Sequence, residues 1–244
     1  VWSMYDYNRG CCDNICYSGV ADIFRLPKFS LSFFRTQIAE GSMLPSGKMP
    51  YEVFIPAYRD EILSDTVMVY GNVDEVELVL NGKTIRRQTA DKGPDSDYIP
   101  VPNGGNGKNL HFPPFTFYGV PKERGVLKAV GYHQGKKVAE YTVKTPGVPE
   151  RLDITYFESG KPATKNDLLI VYVRMLDKQG VLCPVNGIPV ELSVQGGEIV
   201  GPTSYPLEAG VASFLVRTGE ISKININATG KGFSTRKSLK VGKE

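Results

Sequence analysis

The chain has 244 residues, 41% of them hydrophobic and 23% charged, with 26 Gly, 17 Pro and 13 Tyr. This is globular composition, of a length that favours about two cores, and its turn-formers and Val/Ile/Thr runs favour short strands over long helices. A formal charge of +3 argues against the concentrated basic face of a nucleic-acid partner, and no apolar run reaches the roughly 18 residues of a membrane span. The expectation is a mainly β protein with no nucleic-acid partner and no membrane span.

In chain order, residues 1 to about 41 read as a strand, a Cys-rich loop and a helix. Val1 already falls inside that strand, with no initiator Met or apolar leader ahead of it, so this reading expects something in front. Cys11, Cys12 and Cys16 crowd together with Cys183 far off. The CC-x3-C spacing fits no zinc pattern, and no cofactor or metal is expected; free thiols or one loop disulfide both stay open. In PKFSLSFFRTQIAE, Pro27 suits a first helical turn and Phe29, Phe33, Phe34 and Ile38 form an apolar stripe. A stripe of that size does not persist in water. Helix 27–40 should therefore dock on the neighbouring sandwich or on another copy of the chain, as a homo-oligomer contact.

After GSMLPSGKMP, read as a Gly/Pro/Ser linker, residues 51–146 alternate through EVFIPAY, TVMVYGN, EVELVLNGKTIRRQ, FTFYGV, VLKAVGY and KKVAEYTVKT. Asn81-Gly82 and Gln134-Gly135 mark hairpins. The prolines ahead of FTF predict entry into a core strand. Residues 91–109 read as a polar loop, since Asp91, Asp95 and Asp97 lack the order of a calcium loop. TPGVPE is a second break. Residues 149–244 then repeat the pattern in LDITYF, DLLIVYVRML, IPVELSVQ, GVASFLVRT, SKININATG and STRKSLKV, the size and spacing of an immunoglobulin-like sandwich without its disulfide. The basic residues Lys231, Arg236, Lys237, Lys240 and Lys243 read as a solvated strand face.

VWSMYDYNRG and YSGVADIFRLPKFSLSFFRTQ together resemble the last strand, active-site loop and last helix of the catalytic barrel in family 2 glycoside hydrolases of the β-galactosidase type. VYGNVDEVELVLNGKTI, PPFTF and GVLKAVGY are similar to the sandwich that follows the barrel. DLLIVYVRMLDKQGVLCPVNGIPVELSVQGGEIVG is similar to the terminal immunoglobulin-like domain. The resemblance implies a remnant of an α/β barrel at 1–41 and sandwiches at 51–146 and 149–244, from a retaining hydrolase of terminal β-D-galactosides with carbohydrate as its partner.

The resemblance also implies that Trp2, near the C-terminal end of a barrel strand where barrels place their chemistry, stacks on the sugar. Asp6, Asn8 and Arg9 begin the following loop, within reach of sugar hydroxyls. Ser18 stands where galactosidases carry an Asn beside Gly19. Its shorter hydroxyl puts the family's sodium site and galactose preference in doubt, which leaves β-glucuronides and β-mannosides open. Retention needs two carboxyl groups about 5–5.5 Å apart, and neither Glu40, Glu52, Glu61 nor Glu75 falls at a barrel strand end. The catalytic residues are therefore expected outside this sequence. The rival reading is a tandem pair of immunoglobulin-like modules that bind carbohydrate or cell-surface partners without catalysis.

Overall fold

The computed structural model describes residues 3–10, 14–58, 64–91, 110–157 and 161–242. They form two compact units, Val1–Thr145 and Pro146–Glu244. The first unit begins with β1 (Ser3–Tyr5), β2 (Tyr7–Asn8), β3 (Ile15–Cys16) and β4 (Gly19–Ala21). The segment expected as a bare loop thus carries a small hairpin, β2 pairing with β3, and β4 returns to lie parallel to β1 in the register Ser3↔Gly19 and Tyr5↔Ala21.

Helix α1 spans Phe29–Arg35, shorter than the expected 27–40. Pro27 is bridged to Ala21 rather than helical, and Lys28 is the N-cap. The Phe stripe is covered at Phe29 and Phe33, while Phe34 stays 40% exposed. Phe29 packs on Phe54 and Tyr58 with ring centroids 6.0 and 5.1 Å apart, and Phe33 meets Tyr70 edge-on at 5.2 Å. The helix is therefore docked on the sandwich of its own unit.

The Gly/Pro/Ser stretch that follows is an ordered turn of chain. Its strands β5 (Met43–Leu44) and β6 (Gly47–Lys48) pair, Gly41 N–H donates to the Met49 carbonyl at 2.8 Å, and Met49 is buried. What holds it is Asn72, itself 2% exposed. The Asn72 Oδ1 accepts from Glu52 N–H at 2.6 Å, while its Nδ2 donates to the carbonyls of Ile38 and Pro50 at 3.1 and 3.0 Å. A buried carboxamide costs several kcal/mol unless its groups are paired, and here both ends of it are.

The sandwich of this unit packs β7 (Val53–Phe54), β8 (Val67–Gly71) and β11 (Phe115–Phe117), in the order β11-β8-β7, against a second sheet. That sheet contains β9 (Glu75–Leu80), β10 (Lys83–Thr89), β12 (Val126–His133) and β13 (Lys136–Lys144), in the order β10-β9-β12-β13. Alternation sets the faces: Val76, Leu78 and Leu80 of EVELVL point inward to meet Val69, Phe115, Phe117 and Leu127. Each such side chain contributes about 1.5–3 kcal/mol on burial.

The two-residue hairpin β9–β10 turns at Asn81 and Gly82, with φ of 51° and 80°. Positive φ at both positions defines the type I′ turn whose twist matches the strands. Gln134-Gly135 repeats this geometry between β12 and β13.

The second unit contains β14 (Arg151–Tyr156), β15 (Leu168–Leu176), β16 (Pro189–Gln195), β17 (Gly197–Ile199), β18 (Ser204–Pro206), β19 (Val211–Thr218), β20 (Lys223–Gly230) and β21 (Phe233–Lys240). Two antiparallel sheets, β14-β15-β19-β17 and β18-β16-β20-β21, enclose Val171, Val173, Met175, Phe214, Val216, Ile224 and Ile226. The short strands β17 and β18 carry too few residues to show a period, and sequence patterning misses them. Lys231 belongs to another I′-type turn with Gly232 rather than to a strand face, and Lys237 faces opposite to Arg236 and Lys240.

Asp177 organises the start of this unit. Its carboxylate accepts from Gly147 N–H at 2.7 Å, Gln179 N–H at 2.9 Å and Val181 N–H at 2.8 Å.

Candidate functional site

The site residues expected from sequence cluster around the parallel pair β1–β4, except that Trp2 lies outside the described residues. Close approach of the two backbones is permitted by Gly19. A Cβ there would sit 2.3 Å from both Asp6 N and the Tyr5 carbonyl carbon, so no other residue fits. Asp6 closes the end of the pair. Its N–H donates to the Ala21 carbonyl at 3.0 Å, and its Oδ1 accepts Gly19 N–H at 2.9 Å. The Lys28 ammonium lies 2.7 Å from the same oxygen.

Asp6 is thus buried, with an ion pair and a backbone partner, while Asn8, Arg9 and Ser18 are exposed around it. The hairpin between them is short: Tyr7 pairs with Cys16, Asn8 with Ile15, and Arg9 N–H donates to the Asn14 carbonyl at 3.1 Å. Asn14 takes the left-handed conformation, φ 68°, which Asn tolerates. Ser18 Oγ is 3.4 Å from Cys16 Sγ. Hydrogen bonding from Ser18, then Tyr7, brings the Cys16 thiol down to about 7, so a large fraction is thiolate at neutral pH.

Behind the pair, Asp22 N–H donates to the Leu26 carbonyl and Asp22 Oδ1 accepts Leu26 N–H at 2.7 Å, making a tight turn. Burial pushes the Asp22 carboxyl up, against the N–H groups of Leu26 and Phe24 that pull it down. Arg25 lies over the Tyr5 ring, 5.0 Å from its centroid. Met4, Tyr5, Tyr17 and Ile23 leave apolar surface exposed on this side.

Sequence reasoning passed over Lys28, although one signal was present. A cation at a helix N-terminus opposes the positive end of the helix dipole, so a Lys at the N-cap needs a partner elsewhere. Among the described residues no group of three or more His, Cys, Asp or Glu is placed to hold a metal ion. No helix among them is long and apolar enough to cross a membrane.

The glutamates lie away from this loop. Glu52 receives a two-pronged bond from Arg35 at 2.7–2.9 Å, Glu75 pairs with Arg87, and Glu77 accepts from Thr84 and Tyr132, both at 2.7 Å. Glu40 is exposed beyond α1, and Glu61 lies outside the described residues. The aromatics near the PPFTF run divide: Phe115 and Phe117 are fully buried core, whereas Tyr118 is exposed.

Known proteins share this arrangement of a parallel strand pair and a docked helix followed by two sandwiches. A β-glucuronidase of glycoside hydrolase family 2 shares the fold over 98% of this chain and 24% of its own, with a TM-score of 0.77 at 22% identity. The family model described as "Domain of unknown function (DUF4982)" matches residues 64–139. A β-galactosidase of Thermoanaerobacter pseudethanolicus is 33% identical over 233 residues, 89% of this chain and 29% of that protein. A β-galactosidase of Rhizobium radiobacter is 30% identical over 129 residues, 52% of this chain and 92% of its own length. The chain belongs to the family 2 glycoside hydrolases of the β-galactosidase type. It spans 19–30% of the length of four of the curated relatives it matches.

Proposed function

We propose that this chain is the C-terminal accessory region of a retaining glycoside hydrolase that removes terminal β-D-galactosides, with its catalytic glutamates on a barrel supplied by the rest of the polypeptide. The observation that carries the reading is the 33% identity across 89% of the chain to a protein named β-galactosidase. Residues 1–41 are then the last strand, loop and helix of that barrel, and 51–146 and 149–244 are the two sandwiches behind it. The parallel pairing of β1 with β4, in a chain whose other described pairings are antiparallel, supports a barrel origin for this part.

Trp2 stacks on the sugar, and Asn8, Arg9 and Ser18, exposed on the loop, meet its hydroxyls. Asp6 contributes from beneath as the anchor of that loop. Ser18 in place of an Asn keeps a β-glucuronide or a β-mannoside as the alternative substrate, and a fold neighbour is named β-glucuronidase. By itself the chain does not hydrolyse glycosides. Protonation of the leaving oxygen and attack on the anomeric carbon need two carboxyl groups about 5–5.5 Å apart, and Glu52, Glu75 and Glu77 are engaged by Arg35, Arg87 and hydroxyl donors on the sandwich.

Hydrolysis of nitrophenyl β-galactoside, β-glucuronide and β-mannoside, by this chain and by a longer polypeptide carrying the barrel, tests the reading. The longer form should turn over the galactoside and lose most of its rate on Trp2→Ala, with the 244-residue chain silent. Turnover by the 244-residue chain, abolished by replacing one of its own carboxylates, overturns the proposal.

A further inference from the structure

Among its described residues, the exposed loop that carries Asn8, Arg9 and Ser18 is paired over only two residues in each of β2 and β3. The Lys28 side chain joins its two ends. The Lys28 Nζ donates to Asp6 Oδ1 at 2.7 Å, at the end of β1, and to the Tyr17 carbonyl at 3.0 Å, at the return of the loop. Ser18 is therefore bracketed: the residue before it is held by Lys28, and the residue after it, Gly19, donates its N–H to the same Asp6 oxygen.

We propose that Lys28 is a positioning residue for the sugar-facing loop, and that the first sandwich sets the loop's geometry through it. The proposal rests on the reading above that this loop meets the glycoside. The Asp6 side chain is 3% exposed while that of Lys28 is 32% exposed, so a half-buried cation balances a buried carboxylate that also accepts the Gly19 N–H. A buried charge deprived of its partner is strongly unfavourable, which gives the pair a directing force that an exposed ion pair lacks.

The base of Lys28 is as fixed as its tip. Its backbone N–H donates to the Val20 carbonyl at 2.9 Å, which locks it to β4. The helix it opens is clamped to the sandwich at several independent points. Phe29 and Phe33 pack on Phe54, Tyr58 and Tyr70, and Arg35 forks onto Glu52. Gln37 exchanges bonds with the Phe112 backbone at 2.7 and 3.1 Å, and Asn72 binds the Ile38 carbonyl. A path of direct contacts thus runs from the sandwich through α1 and Lys28 to Asp6, Tyr17 and Ser18. A Lys whose charge is misplaced for its own helix is well placed for this.

The test uses Cys16, whose thiol is lowered by the Ser18 hydroxyl and so reports where Ser18 sits. Alkylation of the 244-residue chain is followed against pH, with the modified cysteine located by mass spectrometry. Lys28→Met should move the Cys16 profile upward from about 7 towards that of an ordinary thiol, and Lys28→Arg, which keeps charge and donors, should restore it. In the longer polypeptide Lys28→Met should raise KM about tenfold with kcat within about twofold, as loss of uniform binding does.

A folded Lys28→Met chain with an unchanged Cys16 profile overturns the proposal, as does an unchanged KM in an active long form. If Lys28→Met does not fold, Asp6→Asn puts the same question with a neutral acceptor in place, and the same two outcomes decide it. If the wild-type long form hydrolyses none of the glycosides, the functional reading falls while the Cys16 profile still decides whether Lys28 positions the loop.

Discussion

Replacing Asn72 by Ala should detach the chain segment between α1 and the first sandwich. The substitution removes the acceptor of Glu52 N–H and the donor to the carbonyls of Ile38 and Pro50, at a position 2% exposed to solvent. The backbone bond from Asn72 N–H to the Glu52 carbonyl at 3.2 Å survives, so β8 keeps its end. Leaving a buried polar group unpaired costs about 1–3 kcal/mol. Three groups lose partners, but Glu52 and Ile38 are half-buried and Pro50 is exposed, so water replaces part of the bonding and the loss is about 1–3 kcal/mol. With a urea slope of about 2 kcal/mol per molar, the unfolding midpoint of the first unit should drop by about 1 M. The β5–β6 hairpin should also open before the rest, so trypsin should cut at Lys48 in the variant and spare it in the wild type under native conditions. A midpoint lowered by less than about 0.3 M, with Lys48 still protected, would refute the assignment of Asn72 as the fastening point.

Asp177 gives the second unit an acid limit. Burial raises its carboxyl, but the N–H groups of Gly147, Val181, Gln179 and Gly180 outweigh that and leave it below the usual carboxylate range. Its contribution is complete above the unfolded value of about 3.9 and is lost as pH falls through the lower folded value. Asp177→Asn should flatten that part of the stability-against-pH curve below about pH 4, read by thermal melts. Phe214, 1% exposed in the second core, should cost about 3–5 kcal/mol on truncation to Ala, measured by urea unfolding of residues 149–244. If that stretch is unfolded on its own, the reading of 149–244 as a separate sandwich domain fails.

Much of the fold was legible where local chemistry forces the answer. The Asn81-Gly82 turn needs positive φ at both positions and few residue pairs supply it. The EVELVL alternation admits one inward face, and the apolar stripe of α1 calls for a neighbour, which Phe29 and Phe33 find and Phe34 does not. The site was legible in outline only. Asp6 was noticed as a polar residue after a strand, but its partner Lys28 stands 22 residues away, and nothing in the spacing of either announces the other. Asn72 was hidden for the same reason, since it reaches across 34 residues to Ile38 and reads locally as the polar end of a strand. The Gly/Pro/Ser stretch looked like a linker because its order comes from that distant carboxamide and from burial of Met49. Composition records none of this.

Asn-Gly pairs are the sequences at which protein chains age fastest: the glycine nitrogen attacks the side-chain carbonyl carbon, ammonia leaves, and a succinimide opens to aspartate or isoaspartate. The turn at Asn81-Gly82 withholds that reaction. Its carboxamide is held by Val126 N–H at 2.9 Å and by the Arg124 carbonyl at 3.0 Å, so the group is fixed in orientation and its nitrogen is engaged as a donor. An aspartate in its place would set a carboxylate oxygen against the Arg124 carbonyl. Isoaspartate would add a backbone carbon to a two-residue turn. Folded protein should therefore accumulate the mass change of deamidation at this position far more slowly than urea-unfolded chain, and equal rates would contradict the protection. The same contacts that set the hairpin also determine how long it lasts in storage.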